Sequence, residues 1–179
     1  SPGLPANTPM VQRIAVSSTI QSAWLSDTSV VAFANRDDFL FNTGPSAWRD
    51  AQKTSLRNIL DLHAGVDPRY AQGLVSLDAS GFIEQNIPTL SSYVPANGAV
   101  YPTGPFGDSL KLTAQLIKLN MGLRAATLDL GGWDTHNGQG TPADGQFFWE
   151  KIQELSQALA AFYQDLDGDG HGNHAVSVS

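Results

Sequence analysis

Cysteine is absent from all 179 residues, which removes disulfides, thiolate metal ligands and cysteine nucleophiles. Positive charge is scarce. Ten Lys and Arg stand against seventeen Asp and Glu, for a formal net charge of −7. The basic residues are scattered and never adjacent. The chain therefore lacks both the clustered cations that hold a nucleic-acid backbone and the polybasic segment that adheres to an anionic membrane. Long apolar runs are missing too, since none approaches the roughly 18 residues that span a bilayer. No signal-peptide pattern is present, and the first residues are Ser1-Pro2-Gly3 rather than Met, which points to processing or to a fragment. Ser76, Ser80 and Ser109 lack a Gly-x-Ser-x-Gly elbow, so a serine-hydrolase reading has no support.

What is present suits one domain or a large piece of one: 41% of the residues are hydrophobic, enough for a core. Residues 1–9 contain three prolines and a glycine and read as an extended arm, with residues 10–179 forming a single α/β unit or part of one. Two β-prone runs, 10–17 and 29–40, predict a β-hairpin or two edge strands. Pro45 is placed to open a helix that carries Trp48, Ala51, Leu56, Ile59, Leu60 and Leu62 and ends at Gly65. Pro68 predicts a second, shorter helix through about Leu77, and residues 79–105 read as turns and loops. Phe106-Gly107-Asp108 predicts the start of a third helix, followed by a short apolar strand within residues 123–130. Helix, tight turn and apolar strand make the pattern of a buried parallel sheet. Thr141-Pro142-Ala143-Asp144 predicts the start of a fourth helix, with Phe148, Ile152, Leu155, Leu159 and Phe162 on one face. His174 to Ser179 alternates like a strand that has just begun.

The chemistry-bearing motif follows the strand: Asp129-Leu130-Gly131-Gly132-Trp133-Asp134-Thr135-His136-Asn137. Loops after the carboxyl ends of parallel strands are where ligands bind, and two glycines let the backbone turn sharply there. Asp134 and His136, two residues apart, can converge on one cation, and a carboxylate oxygen with an imidazole nitrogen suits Zn, Mn or Fe. The competing reading is a glycine turn whose Asp caps the next segment and whose Trp is core.

Gly-Gly-Trp-Asp-Thr-His, preceded by the helix Phe-Gly-Asp-Ser-Leu-Lys-Leu-Thr-Ala-Gln-Leu-Ile-Lys-Leu-Asn, resembles the hallmark of an uncharacterised bacterial family. That family is a domain of unknown function, exported by the twin-arginine route and placed in the alkaline-phosphatase and sulfatase superfamily. Leu159-Ala160-Ala161-Phe162-Tyr163-Gln164-Asp165-Leu166 is similar to its following helix, so the resemblance is strongest over residues 100–166. It implies an alkaline-phosphatase-like parallel sheet flanked by helices, a periplasmic or extracellular location, and Asp134 and His136 as metal ligands. It also implies that further ligands and the nucleophile lie on strands this chain does not match. The rest of the same protein or a partner chain would then supply the missing strands. The function implied is hydrolysis of phosphate or sulfate esters, with this chain alone inactive. The rival from another class is a non-catalytic structural or accessory subunit.

A second cation site is suggested by Asp165-Leu166-Asp167-Gly168-Asp169-Gly170, the opening of a Ca²⁺ loop, with His171 at position seven and Asn173 at position nine. Val176 occupies position twelve, where such loops carry a bidentate Glu. The competing reading is an acidic solvated turn. His63 falls near a helix end, where its imidazolium suits the dipole. His174 reads as a loop histidine, Arg36-Asp37-Asp38 as a surface turn, and Trp24, Trp48 and Trp149 as core or interface anchors.

Overall fold

The computed structural model describes residues 13–16, 30–33, 38, 45–86, 92–120, 122–136, 138–143 and 145–167. The expected arm at 1–9, the expected last strand and most of the Ca²⁺ loop lie outside these residues. Two of the expected strands form as β1 (Arg13–Val16) and β2 (Val30–Phe33). They are followed by α1 (Arg49–His63), α2 (Pro68–Asn86), α3 (Pro105–Lys118), β3 (Ala125–Leu128) and α4 (Phe147–Asp167). The architecture is α/β, a small parallel sheet flanked by helices.

Strand order is β2-β1-β3, and both pairings are parallel: Arg13 stands opposite Val30 and Ala125, and Val16 opposite Phe33 and Leu128. The hairpin expectation is therefore corrected, and β1 is central rather than an edge. Parallel neighbours cannot be joined by a tight turn and need about a dozen residues of crossover. Thirteen residues separate β1 from β2. The local β propensity of these runs predicts strands but carries no information on their relative direction.

Ile14 and Val16 point to one face of the sheet. There they meet Phe33, Ala79 and Ile83 of α2, and Leu112 and Leu116 of α3. Ala15, on the opposite face, is fully buried as well. Both faces of the central strand are thus covered, as parallel sheets require. α3 has a second buried side, where Phe106, Leu110 and Ala114 pack on Ala158, Phe162 and Leu166 of α4. Buried between the sheet and α4, it is apolar on two flanks, consistent with the run of leucines that made it legible in sequence.

α2 continues nine residues past the expected end at Leu77, through Ser80-Gly81 to Asn86. A glycine inside a helix costs about 1 kcal/mol, and burial of Ala79 and Ile83 against β1 and α3 offsets it. Asp67 caps this helix, its Oδ1 accepting the Arg69 N–H at 2.9 Å, with Pro68 in the first turn. α1 runs antiparallel to α2, joined by Lys53–Glu84 and Arg57–Asp78 pairs and by Leu60 lying over Gly73. None of its residues is buried, and Trp48, Ile59, Leu62 and Val66 are exposed. Of the two readings of Trp48, core or interface anchor, the core one is corrected; Leu56 and Leu60 are half-buried, while Ile59 and Leu62 of the same apolar set face outward.

α3 begins one residue earlier than expected, with Gly104 (φ 127°) before Pro105, and Asp108 sits in its first turn instead of capping it. α4 begins at Phe147, later than the Thr141-Pro142 signal. Gly140 and Gly145 take left-handed φ values of 72° and 76°. The chain there closes a turn, Gln146 N–H to Ala143 O at 3.1 Å, in place of a first helical turn. Ile152, expected on the inner face, is exposed; the buried stripe is Ala158, Ala161, Phe162, Asp165 and Leu166. No helix among the described residues is long and apolar enough to cross a membrane.

Candidate functional site

β3 delivers residues 129–136 to the carboxyl end of the sheet, beside the central strand. The loop is docked on the first two turns of α4. Trp133 sets its ring edge-on to Phe148, with centroids 6.5 Å apart, and its indole N–H donates to the Leu130 carbonyl at 2.7 Å. It is 42% exposed, so the core reading of this tryptophan does not hold. Gly132 adopts φ 86°, and a Cβ placed there would lie 3.3 Å from Cε of Lys151. The glycine is favoured by its backbone angle, and its missing side chain leaves room for the end of the lysine stem.

Asp134 and His136 are brought together. The Asp134 Oδ1 lies 3.2 Å from the His136 Nδ1 and accepts the His136 backbone N–H at 3.3 Å. This Asx turn folds the three residues so that carboxylate and imidazole face the same point. His136 itself holds φ 49°. Both side chains are open to solvent, 79% and 86% exposed. The spacing fits a shared cation: ligand atoms at ~2.0–2.2 Å from a metal stand about 3.4 Å apart in tetrahedral and about 3.0 Å apart in octahedral geometry. The same spacing also fits a simple ion pair when the imidazole is protonated. Among the described residues no third His, Asp or Glu joins them to make a group of three. Two ligands alone leave at least two positions of a tetrahedral ion to be filled.

The Ca²⁺ loop is not built as expected. Asp165 and Asp167 are both helical, the last turn of α4 extending through them, and residues two apart on a helix point to different sides. Asp169, His171 and Asn173 lie outside the described residues. Asp165 is only 2% exposed and its two oxygens are fully engaged. Oδ1 accepts the Ala96 N–H at 2.6 Å and the Lys118 ammonium at 2.5 Å. Oδ2 accepts the Tyr93 and Tyr101 hydroxyls at 3.0 and 2.8 Å. Desolvation raises the carboxyl pKa, but Lys118, the Ala96 N–H and the tyrosines together outweigh it, and Asp165 titrates below the ordinary carboxylate value. The Tyr101 hydroxyl is pushed well above its ordinary range, chiefly by burial and further by the carboxylate beside it. This hub pins the segment 92–101 to α3 and α4, with a reciprocal amide contact between Asn97 and Gln164 adding to it.

Sequence reasoning missed two groups. Asp165 falls three residues after Phe162 on the apolar stripe of α4, and a carboxylate on a core face must have buried donors; that was the available signal. Lys151 and Glu154, paired at 2.9 Å and only about a quarter exposed, adjoin the Gly-Gly turn. Their i,i+3 spacing was legible, but their proximity to residue 132 was not. His63 packs against Tyr70, ring centroids 5.0 Å apart, at the end of α1, and among the described residues belongs to no group of three candidate ligands.

No protein-family model, curated protein or solved structure matches the chain.

Proposed function

We propose that the complete protein is a metal-dependent hydrolase of phosphate or sulfate esters, with an alkaline-phosphatase-like sheet, and that this chain carries part of its metal centre. The observation that carries the reading is the Asp134–His136 pair, ligand atoms 3.2 Å apart, held by a glycine turn at the carboxyl end of a parallel strand. Asp134 would bind through Oδ1 and His136 through Nδ1. A divalent Zn, Mn or Fe ion bound there supplies a Lewis acid for the ester oxygen or for water. The chain's own part is preorganisation: the Asx turn fixes the carboxylate against the imidazole, and Trp133 on Phe148 anchors the turn to α4. The remaining ligands come from the rest of the same polypeptide or from a partner chain. Export by the twin-arginine route belongs to the same proposal and rests on the family resemblance.

A non-catalytic accessory role is the second reading. It is favoured by the exposed apolar side chains on α1 and at its two ends (Ile59 and Leu62, with Trp48 before it and Val66 after it), a surface suited to a protein partner. Elemental analysis of the purified protein separates the two. Stoichiometric Zn, Mn or Fe that is lost in Asp134→Ala/His136→Ala supports the hydrolase reading. A wild type free of transition metal refutes it and leaves the accessory role.

A further inference from the structure

Resting on the reading of Asp134 and His136 as a metal-holding pair, we infer that the Gly131-Gly132 turn and Lys151 form the oxyanion half of the same site, built for a tetrahedral phosphate or sulfate group. Lys151 stands in the second turn of α4. Its Nζ lies 3.6 Å and its Cε 3.3 Å from the point where a Gly132 Cβ would be, so the end of the lysine side chain lies over the bare face of the glycine. Any larger residue at 132 would push it away. The turn itself is rich in unused donors. Among the described residues, the backbone N–H groups of Gly131, Gly132, Trp133 and Asp134 make no hydrogen bond. A left-handed glycine, here φ 86°, is the residue around which successive N–H groups can turn toward one anion.

The ammonium is held in place without being used up. It gives one bond to the Glu154 Oε2 at 2.9 Å, and an ammonium has three protons to donate. The pair is three-quarters shielded from solvent, so its charge is less screened than that of an open surface lysine. Two residues from the turn stands Asp134, whose carboxylate repels an oxyanion until a cation neutralises it. The two halves therefore assist one another: a metal on Asp134 and His136 strengthens anion binding at Lys151, and a bound anion strengthens metal retention. An ester substrate would place its charged oxygens on Lys151 and the turn, next to the ligands that hold the metal.

The test is calorimetric titration with inorganic phosphate and with inorganic sulfate, the metal content of every sample being read by elemental analysis. In Lys151→Met, which keeps the apolar stem, affinity is expected to fall roughly tenfold or more, as loss of a charge-assisted hydrogen bond implies, with metal content unchanged. Lys151→Arg retains binding, and Glu154→Gln, which removes the competing carboxylate, tightens it. Equal affinity in wild type and Lys151→Met overturns the inference, and so does weaker binding in Glu154→Gln. A metal-bearing wild type that takes neither anion also overturns it, while leaving the metal reading intact. Lys151-dependent binding in a wild type that carries no metal upholds the anion site and removes the metal reading instead. A wild type with neither metal nor anion removes both.

Discussion

Removing the carboxylate of Asp165 is expected to destabilise the chain more than any surface substitution. In Asp165→Ala four donors lose their acceptor together: the Ala96 N–H, the Lys118 ammonium, and the Tyr93 and Tyr101 hydroxyls. An unsatisfied buried donor costs about 1–3 kcal/mol, but the four do not add. Lys118 is 29% exposed along its side chain and can turn its charge to water. Tyr93 keeps the Lys118 ammonium as a neighbour, at 2.8 Å from its hydroxyl. Among the described residues Tyr101 and the Ala96 N–H have no such alternative partner, and the lost carboxylate leaves a small void beside them. Breaking a buried ion pair at one partner costs about 3–5 kcal/mol, which corresponds to a fall in Tm of roughly 6–20 °C for a chain of this size. Asp165→Asn, which keeps the shape and one good acceptor, should lose about half as much. The assay is denaturant unfolding, with hydrogen exchange at the Ala96 amide as a local probe. Exchange there should accelerate before global unfolding in both variants, because the 92–101 segment is what the carboxylate pins. A Tm for Asp165→Ala within about 2 °C of wild type would refute the hub as a stabilising element.

The same hub sets a pH window. The Asp165 pKa is depressed in the fold, so its contribution is present above about pH 4 and is lost as pH falls through the lowered value. Lys118 and Tyr101 are raised, so theirs are present up to about pH 10 and are lost as pH climbs beyond it; denaturant midpoints should form a plateau between these limits, which Asp165→Ala flattens at the acid end. Gln115 is buried in α3, and among the described residues both its amide atoms lack a hydrogen-bond partner. Gln115→Met, similar in length and without that desolvated amide, is expected to raise stability by about 1–2 kcal/mol in urea unfolding. Gly107 and Gly81 should respond in opposite directions. A Cβ at Gly107 would meet the Pro102 carbonyl oxygen at 2.1 Å, whereas one at Gly81 meets nothing within 4 Å; Gly107→Ala should cost about 1–3 kcal/mol and Gly81→Ala should add about 0.5–1 kcal/mol, read as shifts in thermal midpoint.

The sequence by itself determined the local elements. Pro45, Pro68 and the Phe106-Gly107-Asp108 segment mark helix starts to within a few residues, and the leucine spacing of α3 shows that it is buried. The run Ala125 to Leu128 is a strand because it follows a tight turn and is apolar but for Thr127. These follow from backbone restriction and hydrophobic periodicity, which act over a few residues. The convergence of Asp134 and His136 was equally legible, since an Asx turn needs only three consecutive residues. Tertiary structure decided what depends on distant partners. β1 and β2 pair in parallel, and no property of either strand by itself states that. α2 outlasts its glycine because Ile83 reaches a core supplied by residues on both sides of it in the chain. Asp165, by spacing the first ligand of a cation loop, became instead a buried anchor. The donors around it come from positions 93, 96, 101 and 118, and only the packing of α3 against α4 assembles them. Lys151 reached the glycine turn for the same reason: the turn docks on α4 through Trp133 and Phe148, a contact between side chains fifteen residues apart.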